Sequence, residues 1–122
     1  QATTLRNSQS ASERSEAVVG TYAILERMRA NYAVASNGGY DLAAMTCNAP
    51  TASTLVTSDQ HDWIEALHAS LGASACGQIV GCGGQTCTIT VEWDDSRGTR
   101  GSADHPDPDH PSLQTVVTET RL

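Results

Sequence analysis

The chain has 122 residues, 39% of them hydrophobic, with seven arginines, no lysine, fourteen acidic residues and a formal net charge of -7. A chain of this length closes one core that buries roughly 60 to 70% of the unfolded surface, so a single domain over residues 1–122 is expected. The acidity argues against a polybasic surface for nucleic acid or anionic lipid, and the absence of lysine excludes a phosphate loop of the GxxxxGK type.

The charge is uneven. Residues 1–31 hold Arg6, Arg14, Arg27 and Arg29 against Glu13, Glu16 and Glu26, so the acidic excess lies in residues 32–122. "QATTLR" carries no pattern. From about Asn7 or Ser10 to about Ser36 the chain reads as one helix, because Val18, Tyr22, Leu25, Met28 and Tyr32 recur at spacings of three and four. Such a helix, about 25 to 29 residues and about 40 Å long, is longer than a small sheet needs. Its first turns, "NSQSASERSE", are nearly devoid of apolar residues, so Asn7 to Glu16 are expected to project without fixed packing. "SNGG" ends the helix, with Asn37 or Gly38 in the left-handed position.

Residues 40–58 are rich in Ala, Thr and Ser and contain Pro50, which predicts an irregular loop anchored by Cys47. A second, shorter helix is predicted from Asp59, capped by Ser58 or Asp59 and ended by Gly72, with Trp63, Ile64, Leu67 and Leu71 as its buried side. The period then changes to two. "GQIVG" around Ile79 and Val80 is a strand, and "CGGQ" supplies hairpin glycines. In "TCTITVEW", Cys87, Ile89, Val91 and Trp93 share one face. "LQTVVTETRL" is the last strand, reached through the polar segment 94–112. The expected class is therefore α+β, a long N-terminal helix packed on a small antiparallel sheet with a second short helix.

Four cysteines, Cys47, Cys76, Cys82 and Cys87, without a CxxC pair predict two disulfides and an oxidising compartment rather than a zinc site. Joining Cys82 to Cys87 across the glycine turn and Cys47 to Cys76 avoids crossed loops. Cys47 with Cys87 and Cys76 with Cys82 also fits the spacing.

Candidate chemistry is sparse. His105 and His110 among Asp104, Asp107 and Asp109 carry donors suited to a divalent ion, but the spacing matches no established loop and lacks a glycine pivot. Asp94 and Asp95, adjacent at a strand end, point to opposite faces and read as a charged turn. His61, Asp62 and Glu65 read as an acidic first turn, and His68 as solvent-exposed. No serine or threonine sits in a nucleophile turn. No catalytic, cofactor-binding or metal-binding residue is therefore assigned.

"ILERMRANYAV", residues 24–34, is more informative. With Met28 on the buried stripe, Arg27 and Arg29 flank it, and Glu26 is placed to pair with Arg29. Their guanidinium groups are suited to holding the "GGYDL" loop, with Asp41 as the favoured acceptor, and Asn31 to hydrogen-bonding that loop.

The order of long helix, "ERMRAN", "YD" after Gly39, Trp63 opening a short helix, cysteines, and "TVEWDDSRG" at residues 90–98 resembles the soluble part of a type IV pilus minor pilin of the PilV family. "ERMRAN" and "WDDSRG", which contains Trp93, Asp94, Asp95 and Arg97, are its most specific pieces. The "GCGGQTC" turn and the segment from Asp104 to His110 depart from it. The resemblance implies a truncated type IV pilin-like fold, lacking the apolar half-helix that anchors a pilin in the inner membrane. It also implies a periplasmic head, later displayed on the extracellular pilus, and a role in initiating assembly near the filament tip. Implied partners are other minor pilins, the major pilin and a tip adhesin, with no enzymatic turnover. A minor pseudopilin of a type II secretion system has the same shape, and a pilin-like adhesion or DNA-uptake receptor is disfavoured by the acidic head.

Overall fold

The computed structural model describes residues 2–94 and 113–122, with side chains from Ser10 onward. Helix α1 spans Ala2–Ala30. At Asn31 the backbone leaves helical geometry (φ -122°, ψ 51°) before a single further turn, α2, Tyr32–Ala35. The left-handed position falls on Gly38 (φ 82°), whose N–H donates to Ala35 O while that of Gly39 donates to Val34 O. These bonds satisfy the last carbonyls of the turn.

The expected apolar stripe on α1 is rotated. The buried face consists of Ala17, Thr21, Ile24, Leu25 and Met28, whereas Val18 is 41% exposed, Tyr22 53% and Tyr32 56%. Close approach decides this. The small residues let α1 settle against its neighbours: a Cβ on Gly20 would meet Leu67 Cδ2 at 2.8 Å. The Thr21 hydroxyl donates to Ala17 O within the helix, so its burial leaves no unpaired donor. The break at Asn31 then turns Tyr32 off the stripe.

After α2 comes a strand that the sequence did not announce, β1, Leu42–Thr46. "LAAMT" has a single β-branched residue and no strict alternation, so its pattern reads as loop. Helix α3 spans Leu55–Leu71, one turn earlier than predicted. Its N-cap is Thr54, in a reciprocal capping box with Thr57: the Thr57 N–H donates to the Thr54 hydroxyl, and the Thr54 N–H donates to the Thr57 hydroxyl. Gly72 ends it, with φ 102°.

Strands β2 (Cys76–Val80), β3 (Cys87–Asp94) and β4 (Leu113–Thr120) complete the described sheet, which is antiparallel in the order β1-β2-β3-β4. β3 alternates buried and half-buried residues along its length. Cys87, Ile89, Val91 and Trp93 face the helices, as the alternation predicts. The chain therefore folds as α+β, with a long N-terminal helix and a four-stranded antiparallel sheet among the described residues.

Two tryptophans fix the layers. Trp63 lies over Gly77, where an added Cβ would overlap its ring, and its indole N–H donates to Gly20 O at 3.1 Å, so α3, β2 and α1 meet at one side chain. Trp93 donates to Glu13 Oε1 at 3.3 Å. Arg14 donates to Gln114 Oε1 and Thr115 O, and Arg29 donates to Arg121 O. Fifteen helical residues advance about 22 Å and six strand residues about 20 Å, so α1 runs alongside β4 in the same direction. This corrects the expectation that Asn7 to Glu16 lack packing: Glu13 is buried and Arg14 is tied to β4.

Both disulfides join the pairs that avoid crossing, Cys47–Cys76 and Cys82–Cys87. The first ties the end of β1 to the start of β2. The second spans the β2–β3 turn, where Gly81 (φ 76°) approaches Thr86 O too closely for a Cβ.

Candidate functional site

The densest polar cluster sits where α1 crosses α3. Asp59 and Asp62 are three residues apart on α3 and so share a face. That face meets Arg27: its Nη1 donates to Asp59 Oδ1 at 2.9 Å and to Asp62 Oδ2 at 3.0 Å. The other Asp59 oxygen accepts the Tyr40 hydroxyl at 2.5 Å. Asn31 Nδ2 donates to that hydroxyl at 3.3 Å, and Gln60 Nε2 donates to Tyr40 O at 3.0 Å. The bracket thus holds α1, the 37–41 turn and α3 together.

Its electrostatics follow from burial. Asp59 and Tyr40 are buried, whereas Asp62 is exposed. The hydrogen bond to Asp62 raises the Arg27 pKa, burial opposes this, and Asp59 adds to the rise. Burial first, and the bond to Asp59 second, push the Tyr40 phenol above its usual 10.0. Both oxygens of Asp59 and the Tyr40 hydroxyl are hydrogen-bonded, so the cluster is a satisfied network whose exposed part is the Arg27–Asp62 pair. That pair borders a cavity of about 70 Å³ between α1 and α3, walled by Gly20, Ala23, Ile24, Trp63 and Ala66. A wider cleft of about 430 Å³ lies between Tyr32, the Cys82 turn and Arg121. Among the described residues no group of three or more His, Cys, Asp or Glu is placed to hold a metal ion.

Several expectations are corrected here. Asp41 is not the acceptor for either arginine, and its Oδ1 is buried without a hydrogen-bond partner. Because α3 starts early, Asp59 already lies on a formed turn facing α1 and takes Arg27 instead. Arg29 reaches the Arg121 carbonyl, just past β4, rather than Glu26 or the loop after α1. Asn31 does reach that loop, through Tyr40. His68 is half-buried, its Nε2 donating to Ala75 O at 2.9 Å, and His61 Nδ1 donates to Pro50 O at 2.8 Å. Each ring therefore pins a loop.

Trp63 and Trp93 serve as layer staples. The Asp94 N–H donates to Ser74 Oγ at 3.0 Å, tying the end of β3 to the α3–β2 connection. Asp95, Arg97, Asp104, His105, Asp107, Asp109 and His110 lie outside the described residues. Tyr40, Gln60 and Glu13 were not singled out from sequence. The spacing of Asp59 and Asp62 opposite the arginine-rich turn was the available signal for the first two.

No family model, curated protein or solved structure matches the chain. What defines the class is therefore the molecule itself, an α+β fold whose long first helix lies along a sheet that, among the described residues, is a four-stranded antiparallel meander.

Proposed function

We propose that the chain is the head of a type IV pilus minor pilin of the PilV type, acting in initiation of pilus assembly at or near the filament tip through protein contacts and without turnover. The observation that carries this reading is the disposition of α1. α1 is a 29-residue helix, Ala2–Ala30, and Glu13, Arg14 and Arg29 along it reach the sheet and the residues that follow its last strand. A helix that leads into an antiparallel head suits a subunit that packs laterally by its stalk. Two disulfides suit a periplasmic and then extracellular life, in which the partners are other minor pilins, the major pilin and a tip adhesin. In the full-length protein the inner membrane would hold an apolar segment ahead of this region. No helix among the described residues is long and apolar enough to cross a membrane.

The test is deletion of the gene in the source organism, scored by surface pili recovered after shearing. The expected result is loss or strong reduction of pili, restored by the wild-type gene and not by Val19→Arg, a change at a 63% exposed position of α1 outside the core. Normal piliation together with impaired protein secretion would instead assign the chain to a type II secretion filament. Normal piliation and normal secretion would remove the proposal.

A further inference from the structure

β4 closes one side of the sheet, and no described strand pairs with its outer edge. It pairs with β3 without interruption from Leu113↔Asp94 to Thr120↔Cys87. Natural edges of this length are ordinarily blunted by lysine, proline, a bulge or brevity. β4 itself has none of these, its one charged residue being Glu119, and from α1 only the arginines Arg14 and Arg29 are seen to reach over it among the described residues. In an antiparallel edge strand, alternate residues turn both N–H and C=O outward. Arg14 takes the carbonyl of Thr115, a member of one such alternate set, and Arg29 takes that of Arg121, one residue past the strand and in the same alternation. Val117 and Glu119 lie between them in the same set.

The edge also has an apolar lip. Val117 is 57% and Leu113 44% exposed on the outer face. Val18 and Tyr22 lie between Arg14 and Arg29 along the α1 face that runs beside β4, and both are exposed.

We propose that this edge pairs with β4 of a second copy of the chain, antiparallel and centred on Val117. The strand is self-complementary in that register. Val117 meets its own copy, Thr115 meets Glu119, Leu113 meets Arg121, and Val116 meets Thr118. No acidic residue faces another, which a strand from a chain of net charge -7 must avoid in self-pairing. The Thr115 and Arg121 carbonyls each retain a second lone pair beside their arginine. The resulting eight-stranded sheet carries both α1 helices on one face, antiparallel across the axis, and the two Tyr22 rings close over the new ladder. The proposal rests on β4 and its flank alone and does not use the pilus reading.

The test is the mass of the chain by sedimentation from micromolar to millimolar concentration, with amide hydrogen exchange at Val117 and Glu119. The wild type is expected to dimerise, with those two amides becoming protected as dimer forms. Val117→Pro removes an outward N–H without touching the β3 ladder, and is expected to weaken dimerisation roughly 5- to 150-fold by loss of the central bond pair. Thr115→Glu places acid against Glu119 twice per dimer and should weaken it roughly two- to thirtyfold, whereas Thr115→Arg should strengthen it by a similar factor. The gain with arginine is an outcome that misfolding cannot imitate. A monomer at every concentration overturns the proposal, as does a dimer that ignores both Thr115 substitutions, or protection of the two amides only when an unrelated extended peptide is added.

Discussion

The indole N–H of Trp93 donates to Glu13 Oε1 across 3.3 Å, with the tryptophan fully buried and the glutamate nearly so. A carboxylate under an indole joins the second half of the sheet to the first helix over a sequence separation of 80 residues. Glu13→Ala leaves the indole donor without this acceptor in a dry site, and is expected to lower stability by about 1–3 kcal/mol in urea unfolding. Glu13→Gln, which keeps an acceptor there, should recover most of the loss. An alanine variant with unchanged midpoint would mean that the contact is not formed in solution.

The Arg27 bracket predicts an asymmetry between two aspartates on one helix. Asp59 is buried and bonded to both Arg27 and Tyr40, whereas Asp62 is exposed. Asp59→Ala should cost about 2–4 kcal/mol, since it strips partners from a tyrosine hydroxyl and an arginine at once. Asp62→Ala should cost less than about 1 kcal/mol, and less still in high salt. Equal costs would place the network at the surface.

Tyr40 gives the fold a limit at high pH. Its folded pKa is raised above 10.0 by burial and by Asp59. The proton is therefore held more tightly in the folded state, and the associated stability is fully present below 10.0 and lost as pH rises through the raised folded value. Stability should fall on the alkaline side with the appearance of phenolate absorbance. Tyr40→Phe should flatten that fall while lowering stability near neutrality.

Removal of the two disulfides should have unequal consequences. Cys47–Cys76 spans 29 positions and Cys82–Cys87 spans 5. Loop-closure entropy assigns about 3.6 kcal/mol to the longer loop and about 2 kcal/mol to the shorter. The paired serine variants, compared by thermal unfolding under oxidising conditions, should rank in that order, and a reversed order would show that the hairpin bridge has a role beyond chain entropy.

The parts of the fold that were legible in sequence are those where one periodicity dominates. Alternation in Cys87–Trp93 and in Leu113–Thr120 reads directly as strand, because each residue has one face to fill. α1 was legible as a helix but not in rotation: hydropathy favours Val18 and Tyr22, while close packing favours Ala17 and Thr21, and distance rather than polarity won. β1 was missed because Ala43 and Ala44 carry no strand signal, and its place depends on β2 and the Cys47 bridge. The start of α3 was missed because a threonine at the third helical position of a capping box stands where glutamate or glutamine is the familiar signal. The candidate site was half legible. That Arg27 holds an acid follows from its flank position, but which acid depends on how two helices cross, and no local pattern encodes that. The pilin resemblance belongs to the sequence alone, since the structure bears on the α+β architecture and not on the family.

Both covalent cross-links lie within the β1–β2–β3 side of the fold. Neither touches α1. Tension applied at the start of α1 therefore enters the sheet through Glu13–Trp93, Arg14 on β4 and Arg29 on Arg121, the Trp63 indole on Gly20 and the apolar seam, in series with no sulfur bridge. Because α1 runs parallel to β4, such a pull along the helix axis loads its contacts in shear, where many must yield together, whereas a pull across the axis opens them one after another. The fold should resist axial traction far better than lateral peeling, a mechanical anisotropy that single-molecule stretching from two attachment geometries would measure.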